Sequence, residues 1–204
     1  QNILFTANEL ALVFTSKSRF ADEINGVNWY EIIGRNDVFI GRSDPNADPC
    51  GYRTMLTLQL AEIFYNQPNL AETIAGKDKK FIRPKEVDLI ALLEVGAIDY
   101  IFLYRSVAVQ HGLSYLQLPD EINLGNPNFS DFYKQAKIKI RGSSPEDTLE
   151  IFGEPMIYGI TMVKNAPNPD LAKKFIDFFT DENKGLKIIE SMGMPLLDPN
   201  NYLK

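Results

Sequence analysis

Two carboxylates stand out because each sits beside a proline where a helical pattern begins. Asp48 lies in GRSDPNADPCGYR (Gly41–Arg53) and Glu86 in IRPKEVD (Ile82–Asp88). Asp is a strong N-cap type, and proline suits the first helical position, where a missing N–H costs nothing. Behind such starts the amides of Cys50 and Gly51, and of Val87 in the second stretch, are expected to be unpaired. Amides of this kind and the helix dipole favour an anion, and Gly51 lets a backbone approach closely. A carboxylate beside an anion is repulsive, so the pattern poses a question about what kind of anion it would serve.

Each residue also has a plainer account. Asp48 can simply cap its own helix. Ser43-Asp44-Pro45-Asn46 is good turn chemistry, with Asp44 standing as the alternative to Asp48. Glu86 and Asp88 are acidic residues in a first turn, where the dipole favours them in any protein. Cys50 reads as a small buried residue, since no neighbouring His or Lys would lower its pKa. Tyr104 ends the apolar run YIFLY and either offers its hydroxyl on the same sheet edge or borders the core. His111 reads as a surface or dipole-paired histidine.

Composition narrows the function classes. The 204 residues are 45% hydrophobic and 24% charged, which fits a globular chain of one large domain or two lobes. The formal charge is −6 and no Lys/Arg run is present, which argues against a nucleic-acid partner. One cysteine excludes an internal disulfide, and one histidine argues against His-rich zinc sites and a Ser-His-Asp triad. No run approaches the roughly 18 apolar residues of a membrane span.

The elements that would position these residues follow from periodicity. Ile3–Phe14 reads as a strand interrupted near Asn8, Trp29–Ile33 as a helical turn and Val38–Gly41 as a short strand. Helical spacing runs from Tyr52 to about Tyr65, and a second helix is expected from Pro84, with Gly96 closing it. Tyr100–Tyr104 is a buried strand, Ser106–His111 a helical turn, Phe129–Lys137 helical, Gly142–Pro145 a loop and Ile157–Val163 a strand. Asp170–Phe179 and Asp181–Met192 are the last helices. Strands alternating with helices predict an α/β fold with a mostly parallel sheet, in which helix starts gather at the strand ends where ligands bind.

Several blocks carry a resemblance. GRSDPNADPCGYR, IRPKEVDLIALLEVGAIDYIFLYRSVAVQHGL, LPDEINLG, YGITMVKNAPNPDLAKKFIDFFT and ESMGMPLLDP resemble the archaeal-type tungstate/molybdate-binding proteins of ABC uptake systems. DPCGYR and EINL are the specific blocks. The resemblance implies a type II solute-binding fold of two lobes closing on an oxyanion, with the first lobe incomplete in this chain. Residues 1–14 would cross from lobe one, 15–155 would form lobe two, and 156–204 would return to lobe one. Family members carry a further preceding stretch with a signal or lipoprotein sequence and an oxyanion-binding serine region.

The resemblance also implies an answer about the carboxylates. An Asp and a Glu close to the metal would expand tetrahedral tungstate or molybdate towards six-coordination, oxygen donors suiting a hard, high-valent centre. Asp48 and Glu86 match those ligands. Cys50, Gly51 and Val87 amides and the Tyr104 hydroxyl would then hold oxo groups. Glu94 sits at the wrong end of its helix. Sulfate, whose sulfur accepts no extra ligands, would be penalised by the same charges. The expected partners are the oxyanion and a membrane permease, with no cofactor and no catalysis, in an extracellular or membrane-anchored setting. The competing readings are an effector-sensing domain of a transcription regulator and, less supported, an enzyme using Asp48 and Glu86 as acid and base.

Overall fold

The computed structural model describes residues 2–142, 144 and 147–197. The expected loop at Gly142–Pro145 lies partly outside the described residues, as does the end of the 156–204 region.

The chain alternates strands and helices. It runs through β1 (Ile3–Ala7), β2 (Leu10–Phe14), α1 (Trp29–Gly34), β3 (Ile40–Ser43), α2 (Pro49–Phe64) and α3 (Leu70–Gly76). It continues with β4 (Ile82–Arg83), α4 (Asp88–Glu94), β5 (Tyr100–Tyr104), α5 (Arg105–Gln110), β6 (Ser114–Gln117) and α6 (Ser130–Tyr133). The last elements are β7 (Lys137–Arg141), β8 (Thr148–Phe152), β9 (Ile157–Ile160), α7 (Pro169–Phe179) and α8 (Gly185–Ser191).

Five strands form the central sheet in the order β4-β3-β5-β2-β6. The sheet is mixed: β3 runs parallel to β4 and β5, whereas β2 runs antiparallel to β5 and β6. The expected mostly parallel arrangement therefore holds for the β4-β3-β5 half. Inserting β2 beside β5, in the register Leu10↔Tyr104 to Phe14↔Tyr100, reverses the other half.

Period-two alternation buries both faces of this sheet. Leu10 and Leu12 of β2 and Tyr100 and Phe102 of β5 join one core with Trp29, Leu56 and Leu60. Ala11, Val13, Ile101 and Leu103 join the other with Leu89, Leu93 and Ala108. The continuous apolar runs LALVF and YIFLY are what a strand covered on both sides requires.

The interruption expected near Asn8 is real. The Asn8 side chain accepts from the Glu9 amide (3.0 Å) and donates to the Ser106 hydroxyl (2.8 Å), ending β1 before β2 begins. β1 pairs instead with β9 in a separate two-stranded ribbon, in the register Ile3↔Ile160 to Ala7↔Ile157. Glu9 itself is buried and paired with Arg105 at 3.0 Å.

Several expected bounds shift. The helix anticipated from Pro84 starts at Asp88, because residues 84–87 form turns whose carbonyls at Lys85, Glu86 and Val87 receive the next amides three residues on. Gly96 does take the left-handed φ of +72° that closes α4. Only one helical turn, α6, follows Phe129, since Lys137 opens the β7–β8 hairpin. That hairpin is tied to α2 by the Gln59 amide, which donates to the Lys137 carbonyl (3.0 Å) and accepts its N–H (2.9 Å). The strand expected to Val163 ends at Ile160, and the helix expected from Asp181 starts at Gly185.

Candidate ligand-binding site

α2 begins as its sequence dictates. Asp48 is the N-cap in an extended conformation and Pro49 occupies the first turn. One carboxylate oxygen of Asp48, Oδ1, accepts the Cys50 amide at 3.0 Å. The other, Oδ2, accepts the amide of Glu86 at 2.7 Å. One side chain therefore caps α2 and fastens the turn that leads into α4. β3 and β4 deliver the two segments side by side: Ser43 pairs with Arg83 in parallel register, and the Asp44 amide reaches the Arg83 carbonyl at 2.8 Å.

This juxtaposition brings the two predicted carboxylates together. Asp48 is buried, at 7% exposure. Burial pushes its pKa up, but the carboxyl of Glu86 and the amides of Cys50 and Glu86 hydrogen-bond it and hold it below the usual carboxylate range. Glu86 moves the other way. Burial, then the hydrogen bond and charge of Asp48, raise it to about 7. The opposite shifts favour sharing one proton between the two carboxyls as pH falls below about 7, which is how a like-charged pair avoids repulsion.

The remaining predicted residues fall out differently. Tyr104 closes β5, and its hydroxyl accepts a hydrogen bond from Arg53 Nη1 at 2.5 Å. Its phenol is pushed up by burial and by the nearby Cys50 and Asp48. Val87 sits at the N-cap of α4 and is half exposed. Asp44 keeps to its turn, accepting the Asn46 amide at 2.8 Å, and does not join the carboxyl pair. His111 caps the C-terminus of α5.

Two expectations about amides are corrected. The Cys50 N–H is taken by Asp48 Oδ1, and the Gly51 N–H donates to the Asp48 carbonyl at 3.0 Å, so neither is unpaired. The reason is that Asp48, once it caps α2, uses the donors it exposes. Gly51 is indeed a close-approach glycine, but what approaches is its own loop. A Cβ there would stand 2.6 Å from the Ser43 carbonyl oxygen and from the Asp44 carbonyl carbon. The Cys50 thiol is fully buried against the Phe102 carbonyl, with its pKa raised by burial, as expected of an inert small residue.

Two further residues escaped the sequence reading. The Ser43 hydroxyl is buried beside Asp48 and Cys50 and favours the ionised form of each. Arg53 places its guanidinium on Tyr104. Its position in DPCGYR gave no sign of that partner, which lies 51 residues further along the chain. Among the described residues no group of three or more His, Cys, Asp or Glu side chains is arranged to hold a metal cation.

Asp48 and Glu86 thus form a polar pair at two adjoining helix starts. The profile of the family described as "Bacterial extracellular solute-binding protein" matches residues 2–195. The chain belongs to this family. Its family is one of extracellular solute-binding proteins. Among curated relatives, an uncharacterised solute-binding protein of Petrotoga mobilis is 46% identical over 97% of this chain and 61% of its own length. The molybdate/tungstate-binding protein WtpA of Pyrococcus abyssi is 42% identical over 97% of this chain and 62% of its own length. The chain thus spans about three-fifths of the relatives it matches.

Solved structures give the same fold. The substrate-binding domain of a putative molybdenum ABC transporter from Clostridium difficile superposes with a TM-score of 0.60 at 17% identity, covering 95% of this chain and 65% of that one. The periplasmic molybdate-binding protein of Azotobacter vinelandii gives 0.54 at 14% identity, covering 97% and 68%. The solute-binding protein thus has the periplasmic-binding-protein fold. None of its described helices is long and apolar enough to cross a membrane.

Proposed function

We propose that this solute-binding protein captures molybdate or tungstate outside the membrane, anchored or secreted, and hands it to the permease of an ABC transporter. The observation that carries the reading is the Asp48–Glu86 carboxyl pair at two adjoining helix starts. Such a pair is a poor host for an anion that offers only oxo groups, and a good one for an anion whose metal centre accepts oxygen ligands. The name of the relative from Pyrococcus abyssi supports the same ligand.

On this reading Asp48 and Glu86 ligate the metal of the cargo. As Asp48 turns to the metal, the Cys50 amide it now occupies becomes available to an oxo group, with the Ser43 hydroxyl, the Val87 amide and the Tyr104 hydroxyl as further donors. Gly51 serves the packing behind them. Residues 15–155 form lobe two, residues 1–14 the crossing, and 156–204 the part of lobe one carried here. α7 supports that division: none of its residues is buried, and Leu171, Phe175 and Phe178 stand exposed for a lobe to cover.

Calorimetric titration with tungstate, molybdate and sulfate tests the reading. Tight uptake of the first two with sulfate silent, lost in Asp48→Ala and in Glu86→Ala, is expected. Sulfate binding as tightly as tungstate would remove it.

A further inference from the structure

Arg53 is an arginine without an acid. It lies one turn into α2, whose first turn carries no acidic residue, and a cation so near a helix N-terminus opposes the dipole. Among the described residues it forms no salt bridge, although the protein carries a net charge of −6. Its neighbours are phenols. The guanidinium donates to the Tyr104 oxygen at 2.5 Å and stands 5.3 and 5.7 Å from the ring centres of Tyr52 and Tyr104. The guanidinium keeps its charge despite burial, as arginine does.

A phenol oxygen has one proton to give and lone pairs to receive. Arg53 has only protons to give, so the hydrogen bond between them has one possible direction. Tyr104 must accept, and its own O–H is left for another acceptor. Among the described residues, no second partner takes that proton. Charge-assisted hydrogen bonds polarise the acceptor and strengthen the bond it donates onward.

We infer that Arg53 is a positioning residue for the oxyanion: by occupying the lone-pair side of Tyr104, it turns the phenol into an obligate donor aimed at an oxo group. This rests on the functional reading above and adds a residue that reaches the ligand only through another.

A double-mutant cycle in the full natural protein, with tungstate as the probe, tests the inference. Arg53→Met and Tyr104→Phe are each expected to weaken tungstate affinity by about 10- to 100-fold, the range for loss of one hydrogen bond to a charged group. The double variant should be no more than about threefold weaker than Tyr104→Phe alone, as a shared pathway requires. The tyrosine ultraviolet difference signal on tungstate addition should vanish in both single variants.

Arg53→Lys guards against a folding defect. It keeps the charge with fewer donors, and should retain the wild-type melting temperature with an intermediate affinity. Losses that multiply in the double variant, or an Arg53→Met affinity within twofold of wild type, overturn the role of Arg53 and leave the carboxyl site standing. A wild-type protein that takes up none of tungstate, molybdate, sulfate or phosphate overturns both.

Discussion

The carboxylate of Asp48 accepts the main-chain amide of Glu86 at 2.7 Å, across 38 residues of sequence. The residue that caps one helix thereby fixes the approach to another, and the two candidate ligands are held by the same bond.

Replacing Asp48 by Ala removes that bond and the cap of α2 together. The expected loss is about 1–3 kcal/mol, combining a missing N-cap with a stranded buried amide. Asp48→Asn retains one acceptor oxygen and should lose less. Denaturant unfolding of the ligand-free variants measures both, and equal losses would show that the Glu86 contact contributes nothing.

The paired carboxyls set a pH dependence. Glu86 in the folded protein is pushed up to about 7 from its ordinary value of 4.5, so the folded state holds an extra proton between those values. Its contribution is fully present below pH 4.5 and is lost as pH rises towards 7. Glu86 is only partly buried, so solvent screening reduces the effect to about 1–2 kcal/mol. Asp48 is shifted down and acts oppositely, its contribution being lost only in strong acid. Melting temperature against pH for the ligand-free protein should slope downward across this window and flatten in Glu86→Gln.

Gly51→Ala tests the packing role assigned to that glycine. A Cβ at 2.6 Å from the Ser43 carbonyl and the Asp44 backbone forces the β3–α2 loop aside. The expected loss is about 1–3 kcal/mol, as for other overpacked sites, together with weaker tungstate affinity because Asp48 moves with the loop. Unchanged stability would mean that the loop yields freely.

Asp99 offers a test away from the site. Its buried carboxylate accepts the amides of Arg19 (3.0 Å) and Phe39 (2.8 Å) and the Arg19 guanidinium (2.7 Å). Asp99→Ala strands two amides and is expected to destabilise by about 2–4 kcal/mol. Tungstate affinity at saturating fold should stay unchanged, which separates Asp99 from Asp48.

What could be read from the residues is what local rules determine. LALVF and YIFLY announce strands buried on both faces, and Asp48-Pro49 announces a capped helix. Glu86 was legible as a partner only because two such starts occur. Its helix was misplaced because Pro84 is good for a first turn and equally good for the bend that precedes one. α3 carries Leu70 and Ile74 as its buried pair, too little for a periodic signal. In the β7–β8 hairpin β7 alternates exposed and half-buried residues while β8 is mostly exposed, and Gln59 ties it to α2. Arg53 on Tyr104 is a long-range contact, and no local rule reveals it. The amides of Cys50 and Gly51 were misjudged for the opposite reason: a local cap consumed them.

The insertion of β2 between β5 and β6 governs how the molecule is made. LALVF emerges from synthesis well before its partner strand YIFLY, which follows about ninety residues later, in the register Leu10↔Tyr104. Until then a flat, uncharged, β-prone pentapeptide has no neighbour, which is the kind of segment that seeks one on another chain. The centre of the sheet closes only after a long loop has been drawn in, so its assembly belongs to the slow, high-contact-order regime. A strand made early relative to its partner is thus among the last to be satisfied.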